Sequence, residues 1–402
     1  MSSKRETTPV TRRAVLASGG ALLAMPALIR TAWAREPVTL GVVMPLSGAA
    51  AQFGINSRDG IQLAVNEINA AGGLNGAPVK LIVADATSNA TNAATVAQRM
   101  ISQEKLSAML GCFVSGLTMA VSEVTERRGI PLLSVSFADS LMTRGFKTLF
   151  SLTNTGSEIG RATFDYTLDI ARENGAPVSK VALMYEDTAY GSSQAGGLRK
   201  AAEAAGIKVV MDAAYPLGIT DVSPLITELR QSAADVVFPV SYLNDSLLII
   251  RSMRQQGLKL PVVGGAAGYV IPNFVESLGP YAEGVLSIAP CNHDQVPAFA
   301  EKFRRRFGHF MTWESQAFAT LVGCLQMAVE ASADASPAGV QKALQTMTFD
   351  KGLATMFTGG KVRFDARNIN EYARPIMVQW RDGSPVTIYP KQFALAQPVW
   401  KF

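Results

Sequence analysis

Two hydrophobic rhythms alternate along the chain. Mainly apolar runs of strand length cover 38–44, 79–83, 106–110 and 132–135. Between them, over 55–70, 92–102 and 115–128, apolar residues recur at helical spacing, as with Ile61, Val65 and Ile68. Strands that are apolar on both faces, separated by helices, predict a parallel sheet covered on both sides. A second series with the same rhythm follows residue 150. Helices over 158–172, 192–205, 224–231 and 246–256 lead to strands over 180–185, 208–213, 235–240 and 261–263. After an apolar run over 285–289 the order changes. Three helices (297–307, 315–331, 337–347) precede a late strand pair over 361–365 and 375–380, with a turn at Arg381-Asp382-Gly383. The pattern predicts an α/β chain with two sheets of four or five strands each. Its late return to helices and then strands makes the two lobes discontinuous. The chain would pass between them near 150–155, 285–290 and 357–361, and several passages make a hinge that closes over a ligand.

The first 34 residues do not join this rhythm. Polar residues with Lys4 and Arg5 lead to Arg12-Arg13, then to an apolar stretch over 16–29, then to Ala32-Trp33-Ala34. Charged, apolar and small residues in that order form an export signal cut near Ala34. The stretch is too short for a membrane span, which needs about 20 residues. Paired arginines ahead of a weakly apolar, Gly-containing run point to the twin-arginine route, with an ordinary secretory signal as the alternative. The remaining 368 residues exceed what one core usually supports, in keeping with two lobes. The net charge of +5 belongs largely to the signal: residues 35–402 hold 32 basic and 31 acidic side chains. A near-neutral mature chain gives no reason to expect a nucleic-acid or anionic-membrane partner. The three cysteines, Cys112, Cys291 and Cys324, are widely spaced and read as buried small hydrophobes, although one disulfide remains possible in an oxidising compartment.

Enzymatic motifs are scarce. The chain has no phosphate-loop motif and no G-x-G-x-x-G after a strand. Only His293 and His309 are available for a metal site or a catalytic triad, so no metal, no cofactor and no enzymatic activity are expected. Ser102-Gln103-Glu104-Lys105 matches S-x-x-K by letters but lacks a Lys-Thr-Gly partner and reads as a solvated helix end. Gly191 to Ala195 misses the nucleophile-elbow pattern at its last position. Arg304-Arg305-Arg306, flanked by Phe303 and Phe307, reads as a snorkelling helix face.

Chemistry gathers at strand ends. Ser115 lies where a buried strand passes into a helix, at or near the N-cap. There its hydroxyl and the free amides can hold an anion with help from the helix dipole. The competing reading is a plain cap. The loop 134–139, with Ser136, Ala138 and Asp139, follows the next strand. Tyr190 and Tyr242 each stand just past a strand of the second series and would face the other lobe across a cleft. Aromatic walls suit a small, partly apolar ligand.

Several short segments, in this order and spacing, make the chain resemble the type I periplasmic solute-binding proteins of the leucine/isoleucine/valine-binding family. They are Met44-Pro45-Leu46-Ser47-Gly48 with Gln52-Phe53-Gly54, residues 64–73 (AVNEINAAGG), residues 129–134 (GIPLLS), Asp187-Thr188-Ala189-Tyr190-Gly191, and Arg254-Gln255-Gln256-Gly257-Leu258. The resemblance implies two doubly wound parallel-sheet lobes joined by a three-crossover hinge, the N-terminal one 35–153 with 288–357 and the C-terminal one 154–287 with 358–402. It implies capture of a small-molecule carboxylate by a monomer in the periplasm and delivery to an ABC permease in the inner membrane. A periplasmic sensor subunit of the same fold is the alternative. By the same resemblance Ser115 binds the ligand carboxylate. Ser136 would hold an ammonium through its carbonyl, with Ala138 beside it; Tyr190 and Tyr242 close the site, and Phe53 and Phe113 line the side-chain pocket. The acidic residue that pairs with an amino acid's ammonium falls on Ala266, and Ala138 has lost the hydroxyl usual at its position. Asp139 or Asp245 would have to supply the missing charge. The expected solute is therefore an aromatic or aliphatic acid without an α-amino group, with an apolar amino acid as runner-up.

Overall fold

The computed structural model describes residues 35–332 and 334–400. The expected export signal, with its expected cleavage near Ala34, lies outside the described residues. β1 (Val38–Met44), buried along its whole length, runs in the middle of a sheet. α1 (Ala51–Ala70), β2 (Val79–Asp85), α2 (Ala90–Gln103), β3 (Leu106–Gly111), α3 (Ser115–Arg128), β4 (Leu132–Ser134), the single turn α4 (Asp139–Met142) and β5 (Leu149–Ser151) follow in alternation. The five strands are all parallel, in the order β2-β1-β3-β4-β5. Local chemistry sets the helix ends: the Asn89 side chain accepts from the Asn92 amide to start α2, and Gly129 ends α3 with φ 64°.

The second series opens on α5 (Gly156–Glu173), whose Thr155 and Glu158 form a reciprocal capping box. It continues through β6 (Lys180–Glu186), α6 (Ala189–Ala204), β7 (Lys208–Tyr215), α7 (Ser223–Ser232), β8 (Val236–Val240), α8 (Leu243–Gln255) and β9 (Val263–Gly264). α9 (Pro272–Leu278), β10 (Leu286–Ala289), α10 (Pro297–Phe307), α11 (Trp313–Ala331), α12 (Pro337–Thr346), β11 (Ile376–Arg381) and β12 (Ser384–Tyr389) complete the chain. Strands β7-β6-β8 and β12-β11-β10-β9 form two sheets, which a parallel bridge between Val237 and Val262 joins into one surface. This is the two-lobed α/β fold the rhythm predicts.

α11 returns to the first lobe and lies against α1. The approach is close: a Cβ on Gly60 would stand 2.1 Å from the Ser315 carbonyl oxygen, so only glycine fits there. The Ser315 hydroxyl donates to the Asn56 carbonyl at 2.8 Å across the same contact. That crossing brings Trp313, at the start of α11, toward the C-terminal ends of β3 and β4.

The late strand pair differs from expectation. Residues 361–365 make only isolated bridges, Phe349 with Val362 and Phe364 with Asn370. The paired strands are β11 and β12, antiparallel across a turn at Asp382 and Gly383, both at positive φ as a tight hairpin requires. The segment 361–365 is held elsewhere because Phe364 packs on Phe150, 5.2 Å between ring centroids, at the edge of the first sheet. The Ser151 amide and carbonyl bond to Asn368 and Asn370 there, so the chain leaves the first sheet only after Asn370. β10 in turn pairs with β11 through Ala289.

All three cysteines are buried and free, as their spacing suggested, and burial pushes the Cys112 thiol up to about 12. Arg304 and Arg305 pair with Glu301 on the exposed face of α10 while Phe303 is buried beneath.

Candidate functional site

Six aromatic side chains form a closed ring where the two lobes meet. Phe53, on α1, stacks on Phe113 at 4.8 Å and 8° between planes. Phe113 lies 5.5 Å from Trp313, and Trp313 stacks on Phe137 at 5.5 Å and 13°. Phe137 meets Tyr190 at 5.9 Å, Tyr190 meets Tyr242 at 5.2 Å, and Tyr242 returns edge-on to Phe53 at 5.8 Å. The first lobe supplies four rings and the second lobe two. Inside lies a void walled by Phe113, Ser115, Val135, Phe137, Tyr190, Tyr242, Ala267 and Trp313. It leaves about 210 Å³ between the side chains, most of it in gaps too narrow for a water molecule.

The loop after β3 shapes the first-lobe wall. Phe113 sits at φ 68°, a region uncommon for a non-glycine residue. It is held there by its carbonyl, which accepts from the Ser136 hydroxyl at 2.7 Å. That hydroxyl also contacts Thr118 at 2.7 Å and Ser134 at 3.1 Å, and the Thr118 oxygen accepts from the Cys112 amide at 3.0 Å. Three hydroxyls thus tie the ends of β3 and β4 to α3. Val114, not Ser115, is the N-cap of α3; Ser115 is its first helical residue and makes no capping bond. Its oxygen instead accepts from the Ala138 amide at 3.2 Å. A hydroxyl that already accepts has its own hydrogen left to donate. The Ser115 and Gly116 amides precede the first amide bonded back into the helix, that of Leu117, and belong to the donors a helix start leaves unpaired.

The second-lobe wall rests on phenols and buried acids. The Tyr190 hydroxyl donates to the Gly265 carbonyl. Beneath it the Glu186 carboxylate accepts from the Thr188 amide at 2.8 Å, the Thr188 hydroxyl at 2.9 Å and the Gly191 amide at 2.7 Å, at the start of α6. Burial still lifts its pKa above the usual carboxylate range, against those three bonds. Asp245, in the first turn of α8, is 1 % exposed and has one oxygen without a partner among the described residues. Burial, with Glu186 nearby, pushes it up to about 6. It borders a separate opening of about 590 Å³ on the far side of Tyr242, together with Ala49, Ala50, Val114, Leu217 and Gly218.

The sequence model of the periplasmic binding proteins matches residues 37–383. The Leu/Ile/Val-binding protein homolog 8 of Brucella melitensis is 34% identical over 379 residues, covering 90% of this chain and 92% of its own. The chain belongs to the Leu/Ile/Val-binding family of type I periplasmic binding proteins. Solved structures share its fold. The branched-chain amino acid transporter substrate binding protein LivJ of Streptococcus pneumoniae, in complex with isoleucine, superposes with a TM-score of 0.76 at 24% identity, over 87% of this chain and 99% of that one. A solute binding protein from R. palustris in complex with benzoate gives 0.75 at 20%, over 87% and 95%.

Of the eight residues this family resemblance points to, four border the void: Ser115, Phe113, Tyr190 and Tyr242. Phe53 backs Phe113 in the ring. Ser136 and Ala138 stand behind the wall, where one fixes the Phe113 carbonyl and the other the Ser115 oxygen. Ala266 is buried at φ 72° with its amide on the Ser287 hydroxyl, and the neighbouring Ala267 borders the void instead. Asp139 is not a free charge: its carboxylate accepts from the Ser157 amide at 2.9 Å, linking the lobes. Four wall residues escaped the sequence reading: Val135, Phe137, Trp313 and Ala267. Val135 and Phe137 sit in the strand-end loop 134–139, so their place was a readable signal. Trp313 is not near any first-series strand in sequence, and only the α1–α11 crossing brings it in.

Proposed function

We propose that this chain is the exported, non-catalytic solute-binding component of an ABC importer, acting as a monomer. It closes two lobes over a small carboxylate with an apolar or aromatic body and hands it to a permease. One observation carries this reading: Ser115, the first residue of α3, borders a void ringed by six aromatic side chains from both lobes, beside the helix-start amides that make no backbone bond. Helix-start donors suit an anion, and the ring suits an apolar body. The lobes keep the expected first passage at 153–154, but the second passage lies after Ala289, which still pairs with β11, and the third beyond Asn370, so the expected bounds at 288 and 357 both move toward the C-terminus. Two proteins of like fold, LivJ of Streptococcus pneumoniae and the R. palustris solute binding protein, hold isoleucine and benzoate, and both ligands are carboxylates with apolar bodies.

Among the described residues no carboxylate borders the void, and an ammonium enclosed there would lack a counter-charge. The preferred solute is therefore an acid without an α-amino group. The unpaired oxygen of Asp245 favours a second reading, an apolar amino acid whose ammonium reaches past Tyr242. Calorimetric titration with benzoate, 4-methylpentanoate, phenylalanine and leucine separates them. The first reading expects at least one acid to bind about tenfold tighter than either amino acid. Tighter binding of leucine, lost in Asp245→Asn, establishes the second; binding of none of the four rejects both.

A further inference from the structure

Trp313 carries the one polar atom of the aromatic ring that is both sealed from solvent and unpaired. Among the described residues its indole nitrogen makes no hydrogen bond, and the residue is 2 % exposed. A buried N–H without a partner is destabilising, and such groups in folded proteins generally have one. The indole is not free to turn and find it. Its ring is stacked on Phe137 and wedged against Phe113. Its backbone is fixed at the start of α11, where the Thr312 side chain accepts from the Ser315 amide and the Trp313 carbonyl accepts from the Cys291 thiol at 3.4 Å. The two tyrosines of the ring differ from it: Tyr190 is bonded to Gly265, and Tyr242 is only half-buried.

We infer that the indole N–H of Trp313 donates to an oxygen of the bound solute other than its carboxylate, which makes Trp313 a specificity-determining residue. This rests on the reading that a carboxylate binds at the start of α3. That site brings its own donors, the Ser115 hydroxyl and the two amides, so the indole is left for a second acceptor. Around it the wall is apolar (Phe113, Val135, Phe137, Ala267), and one donor in an apolar wall selects sharply for a ligand that meets it. The solute class is thus hydroxy- or oxo-substituted small acids.

Matched acids provide the test: benzoate against the three hydroxybenzoates, and 4-methylpentanoate against 4-methyl-2-oxopentanoate, titrated into the full mature protein. The wild type binds the best oxygenated acid about tenfold tighter than its parent, equivalent to about 1.4 kcal/mol. In Trp313→Phe, and in a variant carrying 3-benzothienylalanine at 313 to keep the ring size without the N–H, that preference falls below about twofold, while the apo melting temperature of the benzothienyl variant does not fall. A wild-type preference near one, or a preference unchanged in the variants, overturns the inference and leaves the carboxylate reading standing. Equal weakening of substituted and parent acids also overturns it. Failure of every acid to bind the wild type overturns the carboxylate reading as well.

Discussion

The two walls of the cleft are built from different materials. On the first-lobe side four rings line the cleft, two of them, Phe113 and Phe137, on strand-end loops tied together by Ser134, Ser136 and Thr118, and the hydroxyl that borders the void, Ser115, belongs to a helix start. On the second-lobe side two phenols stand over buried carboxyls. Each lobe also hides a carboxyl near the cleft, and the two are satisfied to very different degrees. Glu186 accepts three hydrogen bonds at the start of α6. Glu314, fully buried between α1 and α11, accepts one from a side chain, the Asn56 amide at 3.0 Å, and its other oxygen has no partner among the described residues. Burial pushes Glu314 up to about 7. The difference teaches that donors around a buried acid offset part of the cost of its charge, and that where they are few, burial pushes the acid's pKa up.

The largest effect should come from breaking that contrast with the same substitution on both sides. Glu314 has a folded pKa above its unfolded one, so its contribution is most favourable at low pH and is lost as pH rises through about 7. Glu314→Gln keeps the oxygen that Asn56 donates to and cannot ionise. It is expected to stabilise the fold by about 3 kcal/mol at pH 8 and by under about 1 kcal/mol at pH 5. Glu186→Gln turns an NH₂ group toward the Thr188 and Gly191 donors and should destabilise by about 1–3 kcal/mol. Urea melts at pH 5 and pH 8 read both; equal signs for the two variants at pH 8 would erase the distinction. Next in size is the first-lobe donor itself. Ser115→Ala should weaken binding of the preferred acid by about 10- to 100-fold, since a hydrogen bond to a charged group contributes about 1.5–3 kcal/mol. A calorimetric loss under about threefold counts against the carboxylate site.

Much of this architecture is legible in the chain because local and global signals agree. The period of apolar residues marks the helices of the first series and the central strands, and Ser115, Tyr190 and Tyr242 stand out as polar or aromatic residues at strand ends. What stays hidden depends on long-range packing. β12 reads as Ser-Pro-Val-Thr-Ile-Tyr, a run whose proline argues against a strand, and it is tolerated because β12 lies at the sheet edge. Residues 361–365 have strand composition, but Phe364 is claimed by Phe150 and Phe349 in the other lobe. Trp313 looks like an ordinary first-turn residue until Gly60 lets α11 press onto α1. Asp139 and Asp245 look equivalent as spare charges; only the Ser157 amide separates the occupied carboxylate from the open one.

The smallest expected effect discriminates between the two tyrosines, which the sequence presents as a matched pair. Removing one hydroxyl from each tests whether they share a role. The Tyr190 hydroxyl is buried and bonded to the Gly265 carbonyl within its own lobe, so its ring is positioned before any ligand arrives. Tyr190→Phe leaves that carbonyl buried without its donor and should lower stability by about 1 kcal/mol, with the ring still present and affinity changed less than about threefold. The Tyr242 ring closes the circle between Tyr190 and Phe53, and its hydroxyl makes no hydrogen bond among the described residues. Tyr242→Phe should leave the melting curve where it is and act only on the complex, through a contact made after the lobes close. Loss of one neutral hydrogen bond to the solute then appears as release about two- to tenfold faster, with capture unchanged. Stopped-flow traces and melts of the two variants side by side decide it. If both variants lose stability, or both change only release, the second-lobe wall is one unit and not an anchored ring beside a free one.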